Sequence, residues 1–146
     1  MDNYYCKNCN KENKAIINNR INKSPLYLIV SLNRFIEEEQ KLIVNPNIPE
    51  ILYKEVLNIG DILDNYNENY LYDLYGVIIS KELRNTSKFS KMFNSLTYKL
   101  GKEYPNIAYC KNNGDWISYE DEKIENLENP YDKGAYILFY KARNQK

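Results

Sequence analysis

Residues 107–124, IAYCKNNGDWISYEDEKI, followed by residues 134–140, GAYILFY, decide how this chain folds. Asn113-Gly114 separates two aromatic-rich runs, and a two-residue Asn-Gly loop is the strongest short-range hairpin signal, because both loop positions need positive φ. The stretch predicts a strand Ile107–Lys111, a tight turn, and a strand ending Trp116-Ile117-Ser118-Tyr119. An acidic corner at Glu120-Asp121 and a last strand Ala135–Lys141 follow.

Working outward from that block, Pro25 opens the apolar run Leu26–Leu32, short, β-branched and aromatic, which reads as a buried strand ending at Asn33-Arg34-Phe35. Tyr70–Ile79 reads as another strand. Lys41–Val44 predicts a short strand, Pro46 to Pro49 an extended connection, and Glu37-Glu38-Glu39 a solvated turn. Leu52–Leu63 has apolar residues at mixed spacing and takes no firm assignment. Phe89, Met92, Phe93, Leu96 and Leu100 recur at helical spacing between Thr86 or Ser87, which can cap a helix, and Gly101, which can end one. An amphipathic helix over 87–100 is the expectation. The fold class is therefore α+β, mainly antiparallel sheet with one or two helices, in a single domain.

Composition narrows the function. At 146 residues, with 43% hydrophobic content and aromatics supplied mostly by 15 tyrosines, the chain can bury a core without disulfides or metal. Twenty basic and twenty acidic residues cancel, which argues against a nucleic-acid or anionic-membrane partner. No apolar run approaches the roughly 20 residues that span a bilayer, and the first residues lack the basic start and apolar core of a signal peptide. The expected setting is intracellular, cytoplasm or nucleus. The sequence contains no histidine, so no mechanism using imidazole as general base runs on these residues alone.

Three cysteines do not make a disulfide framework. Two of them form the CxxC pair Cys6 and Cys9, and a structural zinc site wants four nitrogen or sulfur ligands, so the pair is at most half of one. Three readings stay open: a turn-forming remnant, a half zinc site completed by another chain or by carboxylates, and a redox pair. No other cofactor is expected. Cys110 lies within a predicted strand with no cationic neighbour in sequence, and is expected to be a small buried residue and no nucleophile.

Taken in order, Cys6-x-x-Cys9, Pro25, Leu32-Asn33-Arg34-Phe35, the Tyr70–Ile79 strand, Ala108-Tyr109, Trp116 and Ala135–Tyr140 resemble the C-terminal half of a ubiquitin-specific protease, the papain-like deubiquitinases. The resemblance covers nearly all of the chain except residues 80–103. It implies the palm and lower fingers of such a domain, partial over residues 1–146, with the thumb that carries the catalytic cysteine absent. The family's histidine box is Gly-His-Tyr, one residue, Ala, then after a turn Trp, two residues, an aromatic, and an acidic or amide residue before Asp. Anchored on Ala108 and Trp116, its glycine falls on Tyr104, its histidine on Pro105 and its tyrosine on Asn106. Tyr119 takes the aromatic position, Glu120 that of the residue orienting the histidine, and Asp121 the following aspartate.

A Cys–His protease needs imidazole to deprotonate the thiol and reprotonate the leaving amine. Proline has no titratable atom. The resemblance therefore implies a degenerate histidine box at Pro105, Glu120 and Asp121, no catalytic residue in this chain, and a pseudoenzyme acting by binding ubiquitin or another protein. Two alternatives stand beside it: half of an active deubiquitinase completed by upstream sequence, or an interaction domain unrelated to ubiquitin. Oligomerisation through the sheet face left by the absent thumb is a further expectation.

Overall fold

The computed structural model of the chain describes residues 4–38, 41–44, 51–64, 70–84 and 106–143. The helix expected over 87–100, the Pro46–Pro49 connection and Pro105 lie outside the described residues.

The strands in chain order are β1 (Tyr4–Cys6), β2 (Lys11–Asn13), β3 (Tyr27–Ser31), β4 (Phe35–Glu38), β5 (Lys41–Val44), β6 (Val56–Asn58), β7 (Leu71–Ser80), β8 (Asn106–Asn112), β9 (Asp115–Glu120), β10 (Lys123–Leu127) and β11 (Ala135–Ala142). A 3-10 turn spans Gly60–Ile62, and the four-residue helix α1 (Lys81–Arg84) follows β7 directly. Mainly antiparallel sheet is therefore the architecture, and the helical content among the described residues is these two short pieces.

One sheet dominates, with strand order β10-β9-β8-β7-β11-β3, every neighbour antiparallel. β6 shares one side of β7 with β8, pairing Leu71–Asp73 while β8 pairs Gly76–Ser80. β1 with β2, and β4 with β5, form separate two-stranded hairpins. The expected β8–β9 turn is present: Asn113 at φ 51° and Gly114 at φ 102° supply the two left-handed positions.

Three readings are corrected by the structure. The acidic corner is the loop of a second hairpin, with Asp121 at φ 52° and β9 returning as β10. Glu37 and Glu38 belong to β4, since the chain runs on extended to pair with β5, and do not form a turn. Cys110 is exposed. Ile107 and Tyr109 point into the core, so the two-residue period of a strand sends Cys110 to the opposite face.

The core lies on one face of the sheet, where Tyr72, Leu74, Val77, Ile79, Ile107, Tyr109, Trp116, Leu138 and Tyr140 pack against Tyr53, Ile59 and Leu63. Buried tyrosines keep their hydroxyls satisfied by tying down irregular backbone. Tyr72 donates to the Pro25 carbonyl at 2.6 Å, Tyr140 to that of Lys54 at 2.8 Å, and Tyr53 to that of Pro130 at 2.5 Å. Burial pushes the Tyr140 phenol up to about 12 and raises that of Tyr53 still further. Arg34, from the Leu32–Phe35 motif, is buried and donates from Nη1 to the Ala135 carbonyl at 3.1 Å, fixing the end of β3 against β11.

Candidate functional site

Of the sequence positions assigned to the histidine box, Asn106, Tyr119, Glu120 and Asp121 are among the described residues, and they lie at one end of the sheet. β7 ends at Ser80, paired with Asn106 at the start of β8, and β9 ends at Glu120. α1 leaves β7 at the same end and brings two cations with it.

Lys81 Nζ lies 2.5 Å from Glu120 Oε1 and 4.0 Å from Asp121 Oδ2. The hydrogen bond from Lys81 holds the Glu120 carboxyl below the usual carboxylate range. The carboxylate at the histidine-orienting position thus has a primary amine as its partner.

Beside it sits a second, more enclosed cluster. Arg84 Nε donates to Asp132 Oδ2 at 2.8 Å, and its Nη2 contacts both the same oxygen and the Tyr109 hydroxyl. The Tyr109 hydroxyl donates to Asp132 Oδ2 at 3.0 Å, and Asp132 Oδ1 accepts from the Gly134 amide at 2.7 Å. Burial works to raise the Asp132 carboxyl, but hydrogen bonds from Arg84, Gly134 and Tyr109 outweigh it and leave it lowered. Burial, then the Asp132 charge, pushes the Tyr109 phenol up to about 12. Its partner Arg84 is held protonated by the hydrogen bond to Asp132.

Gly134 closes this cluster sterically. A Cβ there would meet the Ser80 carbonyl oxygen at 2.7 Å, Ile79 Cγ2 at 2.9 Å and the Arg84 amide nitrogen at 3.1 Å. The residue is glycine because the loop after Pro130 packs its backbone on the β7–α1 junction, where the Ser80 amide donates to the Gly134 carbonyl at 2.9 Å.

Lys81, Arg84 and Asp132 were not singled out from the sequence. Asp132 carries a local signal, since Asp-x-Gly is the pattern of an Asx turn in which the side chain accepts from the amide two residues on. Nothing local joins it to Arg84, 48 positions away. Chemically the site offers carboxylates matched with cations and a neutral phenol. Such a set can bind and orient charge, and no imidazole belongs to it, since the sequence contains no histidine.

The CxxC pair lies on the β1–β2 hairpin, with Cys6 ending β1 and Cys9 in the connecting turn. Amide hydrogen bonds from Cys9 and Asn8 lower the Cys6 thiol below its ordinary value, and Asn13 Nδ2 lies 3.4 Å from Cys9 Sγ. Two sulfur donors are thus available on one turn. No group of three or more cysteine, aspartate or glutamate side chains able to hold a metal occurs among the described residues.

The family model for ubiquitin carboxyl-terminal hydrolases matches residues 1–140. The chain belongs to the ubiquitin carboxyl-terminal hydrolase family. It is similar to ubiquitin carboxyl-terminal hydrolase 8 of Saccharomyces cerevisiae, 26% identical over 97% of this chain and 29% of the yeast protein. It is also similar to ubiquitin carboxyl-terminal hydrolase 43 of Homo sapiens, 36% identical over 54% of this chain and 6% of that protein. Among solved structures, a SAGA DUB module of Ubp8, Sgf11, Sus1 and Sgf73 bound to monoubiquitin matches with a TM-score of 0.68 at 23% identity, over 99% of this chain and 29% of that one. The same module bound to ubiquitin aldehyde gives 0.68 over 99% and 30%. The deubiquitinase fold is shared along the chain, which spans less than a third of the length of these relatives. No helix among the described residues is long and apolar enough to cross a membrane.

Proposed function

We propose that this ubiquitin carboxyl-terminal hydrolase domain fragment does not hydrolyse ubiquitin conjugates by itself and acts by binding, with ubiquitin as the first partner to test. The carrying observation is the pairing of Glu120 with Lys81. The carboxylate at the histidine-orienting position is engaged by a lysine amine, where the family pattern calls for an imidazole. With no histidine in the 146 residues, proton transfer to and from a thiol has no agent here. Ubiquitin enters through the relatives, since two of the matched modules are bound to ubiquitin or ubiquitin aldehyde. An intracellular setting, cytoplasm or nucleus, belongs to the same reading.

Calorimetric titration with ubiquitin, beside turnover of a ubiquitin–fluorophore conjugate, tests both halves. Saturable heat without turnover is the expected result. Turnover by the chain alone would sink the inactive reading, and absence of heat at high micromolar ubiquitin would remove ubiquitin as the partner.

A second reading is that residues 1–146 are part of an active cysteine-type deubiquitinase completed by polypeptide beyond them. The share of each relative left uncovered favours it. Turnover appearing only when a cysteine-bearing half is supplied would select it.

For the CxxC pair the same proposal assigns half of a zinc site. The placement of both sulfurs on the one β1–β2 hairpin turn supports it, and two more donors must come from another polypeptide or from carboxylates. Zinc retained through purification, and lost when Cys6 and Cys9 are both changed to serine, is expected. Zinc absent from protein prepared without chelator would refute it.

A further inference from the structure

Of the five glycines only Gly114 follows an asparagine, and that pair makes up the whole of the β8–β9 loop. Both residues are exposed, and nothing lies within 4 Å of the place a Cβ would take on Gly114. An asparagine carries its amide carbon, Cγ, within reach of the next backbone nitrogen, which a side chain on that next residue ordinarily shields. Glycine has no such shield. The left-handed turn, with Asn113 at φ 51° and Gly114 at φ 102°, holds the loop closed, and a ring between the two groups forms when the loop leaves that conformation.

The opening it needs stops at the tip. Asn112 and Asp115 pair at the end of the ladder, and both are exposed. Behind them Lys111 and Trp116 are held in place. Trp116 is buried, Lys111 Nζ lies 5.4 Å from its ring centroid, and both donate to Glu55 Oε2, Lys111 at 2.9 Å and Trp116 Nε1 at 3.4 Å. An exposed ladder end opens at far lower free energy than the core behind it.

We infer that Asn113 is a self-modification site, at which the folded chain converts the asparagine to isoaspartate and aspartate. The Gly114 nitrogen attacks Asn113 Cγ, its proton passes to solvent, and the Cγ–Nδ2 bond breaks with release of ammonia. That leaves a succinimide. Water then opens the ring at either carbonyl: cleavage between Cγ and the Gly114 nitrogen gives aspartate, and cleavage of the original peptide bond gives isoaspartate. No atom changes oxidation state. Isoaspartate routes the main chain through its own side chain, so a loop matched to two residues gains a backbone carbon and loses the Asn112–Asp115 pairing. Either product sets a carboxylate beside Asp115 and takes the formal net charge from 0 to −1. Glu120, at the other end of β9, keeps its contact with Lys81. This inference is independent of ubiquitin binding.

The full chain and a free peptide of residues 107–119 are incubated side by side at mildly alkaline pH. Peptide mass mapping with electron-transfer fragmentation follows Asn113 and separates isoaspartate from aspartate. The folded chain is expected to convert Asn113 several-fold more slowly than the peptide, with isoaspartate among the products. Tyr53→Phe, which loosens the core, should leave that rate unchanged, and Gly114→Ala should slow it many-fold in the chain and in the peptide alike. The peptide keeps this comparison valid even if the Gly114→Ala chain does not fold. An Asn113 that stays intact in the chain while the peptide converts overturns the inference. So does a rate that rises in Tyr53→Phe, which would assign the reaction to the unfolded chain, or a Gly114→Ala rate equal to the wild type, which would mean that no ring forms.

Discussion

Lys81 Nζ lies 2.5 Å from Glu120 Oε1, so the carboxylate that the family pattern sets beside its catalytic histidine is engaged by a lysine one residue after β7. Replacing Lys81 with methionine releases the carboxyl toward the ordinary glutamate value of about 4.3. Side-chain carboxyl NMR across an acid titration should show the Glu120 midpoint moving upward in Lys81→Met, with the Asp132 midpoint little changed. A Glu120 midpoint that stays put would mean the ion pair is not formed in solution.

Asp132→Asn leaves Arg84 and the Tyr109 hydroxyl without their shared anion. Arg84 keeps about a third of its side-chain surface in water, which reduces the cost below that of a fully buried pair, and about 2 kcal/mol of destabilisation is expected. The Asp132 carboxyl is lowered in the folded state, so its stabilising effect is complete above the unfolded carboxyl value and fades as pH falls through the folded one. Urea melts of the wild type should weaken on acidification through that window. The Asp132→Asn variant should lose that part of the acid dependence.

Gly134→Ala forces a methyl group against the Ser80 carbonyl and the Arg84 amide, neither of which can swing aside as a side chain would. A loss of about 1–3 kcal/mol is expected in chemical denaturation. Gly114→Ala is the informative contrast. Nothing lies within 4 Å of its Cβ position, so only the positive φ of 102° is penalised, at about 1 kcal/mol.

Tyr53→Phe removes one hydroxyl and orphans two backbone groups, the Pro130 carbonyl it donates to and the Asp132 amide that donates to it at 2.9 Å. Thermal unfolding should report a deficit of about 1–3 kcal/mol. An unchanged midpoint would show that water replaces the hydroxyl without cost.

Much of this architecture is legible in the residues. Asn113-Gly114 located the β8–β9 hairpin, and the apolar runs located β3, β7 and β11, because turn chemistry and apolar patterning are local. β10 was not assigned, since Lys123-Ile124-Glu125-Asn126-Leu127 is the charged, guarded pattern of an edge strand. The exposure of Cys110 was available from parity once Ile107 and Tyr109 were taken as core. The Arg84–Asp132 cluster was not available, because its members meet only through the long-range pairing of β7 with β11. Glu120 was found through the family pattern, while its partner Lys81 follows from where α1 begins.

The tyrosines that tie Pro25, Lys54 and Pro130 to the sheet do so only as neutral phenols. Tyr109 and Tyr140 ionise near 12 in the folded chain, against about 10 when unfolded, so alkali titrates the unfolded form first and drains stability across that interval. A fold that carries no imidazole to sense neutral pH therefore carries an upper limit in strong base, written in the same hydroxyls that anchor its loops.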